Sequence, residues 1–378
     1  MTDPTLHSAV SVRRVDGAPP RLDAFERLRG GGCGWLLDSA LGDSPLSRVS
    51  LLGAAPWAVA RVRGARLDVE VLRAADPRWP VGRHVVPGGP IEGLRRLLPP
   101  PPPGPAPGLP FVGGAVGALG YELAEQLDVH RLHGRDDLGL PDAVLLLVDR
   151  VLAWDHAEGR VLAAGLGVGD SPGAARDRAR DARCALTDAL ARPPAPAPPP
   201  AARSGAPEER IDPAAYAKAV DAVKQEIAAG NVYQACLTAR ASRPYGGDPW
   251  QLHRALRRLN PAPFACFLEL PEVAVVGSSP ERFLRVDRDG GVESRPIKGT
   301  APRGRDPLED AARREALRRS QKDRAENLMI VDLVRNDLGR VCRIGSVHVP
   351  ELMAIEAYAS VFQMVSTVRG RLAEGRDA

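Results

Sequence analysis

The sequence predicts an α+β fold. Many short apolar or alternating runs are separated by turn residues, and only a few segments carry the longer period of helices. The composition, 44% apolar and 26% charged residues over 378 positions, is ordinary for a folded globular chain and excludes wholesale disorder. That length suggests two domains or three.

The elements follow in order. Gly34–Leu37 and Ser47–Leu52 read as short strands, the second stopping at Gly53. Leu98 to Pro110, with five consecutive prolines, reads as a long loop. Ala143–Val148 is a buried-strand run, answered by Val151–Trp154 and Arg160–Ala164 with Glu158-Gly159 as the hairpin turn. Ala174 to Ala191 has helical composition. A Pro/Ala-rich linker follows at 193–210 and divides an N-terminal region, 1–192, from a C-terminal region, 211–378. Beyond it, Asp212 is the expected cap and Pro213 the first residue of a helix with the stripe Tyr216, Val220, Val223, Ile227, ending at Gly230. Val232 to Arg240 alternates like a strand, with Gln234 and Cys236 on one face. Phe264–Leu270 and Val273–Val276 are expected strands, and Asp287–Gly291 is expected to turn a hairpin between Phe283–Val286 and Val292–Ser294. Ser320 opens a long helix toward Leu338 in a Ser-x-x-Asp pattern.

Several function classes are excluded on these grounds. No run approaches ~18 apolar residues, and no basic segment precedes an apolar one at the N-terminus, so neither a membrane helix nor a secretory signal is expected. Five scattered cysteines without a Cys-x-x-Cys pair argue against a zinc ribbon or disulfide framework and for a cytoplasmic location. A net charge of +4 is too small and dispersed for nucleic acid as the main partner; Arg313-Arg314 and Arg318-Arg319 sit among acids. His130 and His133, near Asp128 and Asp136, read as a solvated loop rather than a metal site.

Four residues carry the chemistry question. Only Lys218, Lys224, Lys298 and Lys322 are lysines among 51 basic residues. A lysine that survives in such a chain is chance, or sits where arginine, which stays protonated, cannot serve. Lys298 lies in Arg295-Pro-Ile-Lys-Gly-Thr300, after Glu281 in Gly277-Ser-Ser-Pro-Glu-Arg-Phe283. On the long helix Glu326, Ile330, Leu333 and Asp337 share a stripe, which places acids at both ends of apolar residues. Such acids want a cation or an Arg partner, or serve the helix dipole and a surface salt bridge.

These words resemble the chorismate-utilising enzymes, component I of anthranilate synthase and of aminodeoxychorismate synthase. The resemblance covers most of the chain: Leu36–Ala40, Arg48–Gly53, Pro110–Leu123, Gly230–Thr238, Ser279–Phe283, Pro296–Thr300, Ala325–Asp332 and Arg335–Gly339 occur in the family's order. It implies two large, largely antiparallel sheets packed together with helices outside. It also implies chorismate as substrate, Mg²⁺ as cofactor with Glu326 in the metal site, Lys298 as nucleophile and Glu281 as general acid. Gly299, Thr300 and Gln234 would line the substrate. Leu37, Asp38 and Ser39 would line an amino-acid pocket for tryptophan. Members that add water carry lysine where this chain has Gln234, and a neutral amide cannot serve as their base. Aminodeoxychorismate synthases read Pro-Ile-Lys-Gly-Thr where anthranilate synthases typically read Pro-Ile-Ala-Gly-Thr, so amination to 4-amino-4-deoxychorismate, for 4-aminobenzoate and folate synthesis, leads. Anthranilate synthesis is the alternative. Gln363 stands where many members have histidine, which points the same way. Ammonia would come from a separate glutamine amidotransferase subunit. A free lysine is protonated at pH 7, so the nucleophile reading expects the site to favour the neutral amine.

The family's Gly-Ala-Pro-Lys word, further glutamates, and the Arg and Tyr that hold chorismate's carboxylates are not among these 378 residues. The catalytic region is therefore expected to be incomplete and the chain alone inactive. A homologue that only binds the amidotransferase is the reading of another class.

Overall fold

The computed structural model describes residues 6–30, 33–42, 44–103, 108–127, 132, 134, 136–194 and 212–377. The N-terminal half carries β1 (His7–Arg14), α1 (Arg21–Leu28), β2 (Trp35–Asp38), β3 (Val49–Gly53), β4 (Ala58–Arg63), β5 (Arg66–Val71), β6 (Gly82–Val86), α2 (Pro90–Leu97), β7 (Gly114–Leu119), β8 (Ala143–Val148), β9 (Arg150–Asp155), β10 (Arg160–Gly169) and α3 (Pro172–Leu190). The C-terminal half carries α4 (Pro213–Ala228), α5 (Pro249–Leu259), β11 (Phe264–Glu269), β12 (Ala274–Ser279), β13 (Arg282–Val286), β14 (Gly291–Arg295), β15 (Ile297–Pro302), α6 (Pro307–Arg319), α7 (Gln321–Gly339), β16 (His348–Ala357) and β17 (Val361–Arg371). The residues 195–211, with most of the expected linker, and His130 and His133 lie outside the described residues.

Seven strands form one antiparallel sheet in the order β1-β10-β9-β3-β2-β11-β12. Strands of both halves meet inside it, Leu36 of β2 lying opposite Phe267 of β11. A second sheet, β6-β5-β4-β8-β7, packs face to face on the first. Trp35, Val151, Ala153 and Leu268 of one meet Val59, Val116, Val144 and Leu146 of the other in a single core. The expected pair of packed sheets is thus present, and the α+β class holds. The sequence reading passed over the hairpin of β4 and β5, although two alternating runs flank Gly64, which adopts φ +54°.

The outer face of the first sheet is covered by α3, and glycine sets how closely. Gly165 and Gly167 lie on one face of β10; a Cβ on either would come 2.1 Å from a backbone carbonyl of α3, those of Ala179 and Ala175. Small residues on both sides let helix and strand approach to backbone contact. Ser171 caps that helix by accepting from the Ala174 amide at 3.2 Å.

The third sheet, β13-β14-β17-β15 with β16 also on β17, holds the words from Ser279 onward. Asp287–Gly291 makes the expected hairpin turn, with Gly290 at φ +81°. One face packs on two helices: Val331 and Leu338 of α7 meet Val292 and Val368, and Leu317 of α6 meets Phe362 and Met364.

Contacts divide the chain into two compact units, Met1–Ala195 with His253–Ala378, and Pro196–Leu252. In the second, Asp212 caps α4 as expected, accepting from the Ala214 amide at 3.0 Å. None of the residues of α4 is buried. The strand expected over Val232–Arg240 is not formed: that segment is irregular. A strand needs a neighbour for its amides and carbonyls, and the described residues of this unit include no second strand.

Candidate functional site

The site is built on one irregularity. β15 runs antiparallel to β17, with Ile297 opposite Val365 and Thr300 opposite Gln363, so three steps on β15 answer two on β17. The extra residue is a β-bulge, and it holds Lys298 and Gly299. Gly299 has φ +97°, and a Cβ there would lie 2.9 Å from the Asp323 Cβ and 3.3 Å from the Met364 Cβ. Glycine is required twice, by conformation and by the approach of α7.

Lys298 is half-buried at this bulge, and Thr300 is exposed beside it. Glu281, exposed just before β13, accepts a hydrogen bond from the Ile297 amide at 3.1 Å. Its own amide donates to the Ser279 hydroxyl at 3.2 Å. The structure therefore brings Glu281 within one residue of Lys298 across the sheet, although 17 positions separate them in sequence. Gln234 belongs to the second unit, half-buried in its irregular segment.

On α7 the expected stripe is corrected. The buried residues are Asn327, Val331 and Leu338, whereas Leu333 is 43% exposed and Asp337 is exposed. Val331 and Leu338 pack on the sheet, and Asn327, one turn before Val331, is carried to the same face. The Asn327 amide nitrogen donates to the carbonyls of Met364 at 3.1 Å and Lys298 at 3.3 Å. Its oxygen accepts from the Ser366 hydroxyl at 2.6 Å. Glu326 is half-buried next to it, with the Lys322 ammonium at 3.5 Å. Among the described residues no three His, Cys, Asp or Glu side chains converge on a common point, so they do not by themselves form a Mg²⁺ site.

The face of the third sheet away from α7 is ionic. Glu293 is bonded by Arg282 and, at 2.8 Å, by Arg369; Arg295 binds Glu356, which accepts from the Tyr358 hydroxyl at 2.7 Å. Burial pushes the Glu293 carboxyl up, but the bonds from Arg369 and Arg282 outweigh it and hold it below the ordinary range. Burial and Glu356 raise the Tyr358 phenol. This row was not read from the sequence; the alternation of Glu293 and Arg295 was its only signal.

The word Leu36–Ala40 lies in and just after β2, in the first sheet. Leu37 is half-buried against the core. Ser39 donates to the Val49 carbonyl at 2.8 Å. Asp38 is buried and bound by Arg21 at 2.9 Å, Arg257 at 2.5 Å and the Ser50 hydroxyl at 3.2 Å. Two guanidinium groups thus match its charge from within the chain.

Residues 89–378 match the family described as chorismate binding enzyme. The chain belongs to that family. Within it, an aminodeoxychorismate synthase of Streptomyces griseus is 42% identical over 94% of this chain and 49% of its own length. An anthranilate synthase component 1 of Streptomyces coelicolor is 41% identical over 72% of this chain and 55% of its own. The crystal structure of anthranilate synthase component I from Streptococcus pneumoniae superimposes with a TM-score of 0.69 at 25% identity, covering 89% of this chain and 71% of that one. The chain spans about half the length of the curated relatives it matches. No helix among the described residues is long and apolar enough to cross a membrane.

Proposed function

We propose that this chorismate-binding chain carries the amination chemistry of an aminodeoxychorismate synthase, with ammonia supplied by a glutamine amidotransferase partner. The observation that supports it is the bulge at Lys298, with Glu281 bonded to the adjoining amide. The half-buried Lys298 amine attacks C2 of the chorismate ring, forming a C–N bond. The ring double bonds shift, the C4–O bond breaks, and Glu281 delivers a proton to the departing hydroxyl, which leaves as water. Ammonia then bonds to C4 as the C2–N bond to Lys298 breaks, and a proton lost from the added ammonia regenerates the acid. A covalent amine divides one hard displacement into two easier ones.

Gly299 and Thr300 shape the approach to the ring. Mg²⁺ enters this reading through Glu326 and requires carboxylates beyond the described set. The tryptophan pocket at Leu37, Asp38 and Ser39 stays a separate proposal, tested by calorimetry with the amino acid.

The experiment fuses this chain to the remaining length of the S. griseus relative and supplies chorismate, ammonium and Mg²⁺. Chromatography should show 4-amino-4-deoxychorismate. Anthranilate as the main product favours the alternative amination, and no product at all favours a non-catalytic, amidotransferase-binding role.

A further inference from the structure

Two strand irregularities meet on β17. The bulge of β15 lies opposite Met364, where the ladder between the strands is interrupted at Lys298 and Gly299. On the other edge β16 also bulges: Glu351 pairs with Thr367 and Ala354 with Val365, so three steps again answer two. Met353 in that second bulge has φ +57°, a conformation a side-chain-bearing residue rarely adopts. A bulge leaves backbone groups without ladder partners, and buried ones must find others.

Two side chains supply them. Asn327, 1% exposed, donates to the carbonyls of Lys298 and Met364. Ser366, fully buried, donates to Asn327 and accepts from the Met353 amide at 2.9 Å. The Ser366 amide donates to the Pro296 carbonyl at 3.1 Å, on the other side of the same bulge. A single polar network therefore fixes both bulges to α7, and its first contact is the carbonyl of Lys298 itself.

We propose that Asn327 is a positioning residue for Lys298, and that Ser366 orients Asn327 for that purpose. The inference rests on the reading of Lys298 as the attacking amine. A fully buried carboxamide has one orientation when its oxygen is bonded to a hydroxyl, and its nitrogen then sets where the Lys298 backbone stands. The origin of the lysine side chain is fixed from α7, not by the ladder.

The test reads lysine reactivity and needs no turnover. The chain is acetylated briefly with N-hydroxysuccinimidyl acetate, and peptide mass spectrometry compares Lys298 with the exposed Lys218 and Lys224. Asn327→Ala and Ser366→Ala should each displace the half-buried Lys298 and change its relative rate more than threefold, downward where the site favours the neutral amine and upward where access limits the reaction. Ser366→Thr keeps the hydroxyl and should stay within threefold of wild type, although its extra methyl crowds the core. Val331→Ala removes packing one helical turn away and should stay within threefold too. A merely structural role predicts the opposite order for Ser366, with Ala tolerated better than Thr. The proposal is overturned if Asn327→Ala leaves the ratio within threefold, if Val331→Ala changes it equally, or if Ser366→Thr behaves like Ser366→Ala. Should Asn327→Ala not fold, the Ser366 pair decides. Turnover of Lys298→Arg tests the attacking amine separately, so failure of one reading is told apart from failure of the other.

Discussion

The Glu281 carboxylate accepts a hydrogen bond from the Ile297 amide at 3.1 Å, immediately before Lys298 in the chain. The bond fixes the position of the proposed acid through the backbone of the proposed nucleophile's own strand. Glu281→Gln keeps an oxygen that accepts this bond but cannot deliver a proton. In the fusion described above it should lower turnover ~10²-fold or more, with little change in melting temperature. Glu281→Ala loses turnover similarly and, in addition, the bond, at a cost of about 1 kcal/mol. A Gln variant with near-normal turnover would remove Glu281 as the acid.

Lys298 separates three roles by two substitutions. An attacking amine fails equally as Arg and as Ala, because a guanidinium stays protonated. A carboxylate-binding cation survives as Arg, and a surface lysine tolerates both. The expected outcome is a ~10²-fold or greater loss for both variants. Intact-mass analysis of the parent protein should also find a chorismate-derived adduct that neither variant forms. An Arg variant with more than about a tenth of the parent rate would end the nucleophile reading.

How much of this was legible in the sequence follows from which interactions are local. The Asp287–Gly291 hairpin, the Asp212 and Ser320 caps and the strands at 143–164 were read correctly, because their signals are turn chemistry and period. The Lys298 bulge was visible only as a glycine after a lysine, since a bulge is defined by a partner strand 60 or more residues away. Asn327 was missed because a polar residue on a helix reads as solvent-facing unless its partners are known. The strand expected at Val232–Arg240 failed for the converse reason: alternation is necessary for a strand, but pairing makes one.

Gly299→Ala should be costly for stability as well as function. The φ of +97° strains any residue with a Cβ, and the added carbon would meet Asp323 at 2.9 Å. Backbone strain of about 1–2 kcal/mol and overpacking of about 1–3 kcal/mol act together. Urea unfolding should show a loss of at least about 2 kcal/mol. A comparable Gly→Ala change at Gly64, also at positive φ but with open space around it, should show only the strain. Equal losses at the two sites would show that α7 gives way at Gly299.

His253 is 1% exposed, and burial holds its imidazole down from the ordinary 6.5 to about 4. Asp38 acts against that shift, Arg257 acts with it, and a backbone hydrogen bond with Cys266 acts against it. The ring is therefore neutral in the folded chain at pH values where the unfolded chain already binds the proton. Its contribution to stability is complete above about pH 6.5 and is lost as pH falls from there toward 4. A shift of this size corresponds to about 3 kcal/mol across the window. His156, pushed down by burial and by Arg21, acts in the same direction. It is present in both wild type and His253→Gln, so the difference between them isolates His253. Urea unfolding at a series of pH values should show wild type losing about 2–3 kcal/mol more than His253→Gln between pH 7.5 and 4.5. Parallel curves for the two proteins would show that His253 takes up its proton in the folded chain near its ordinary pH.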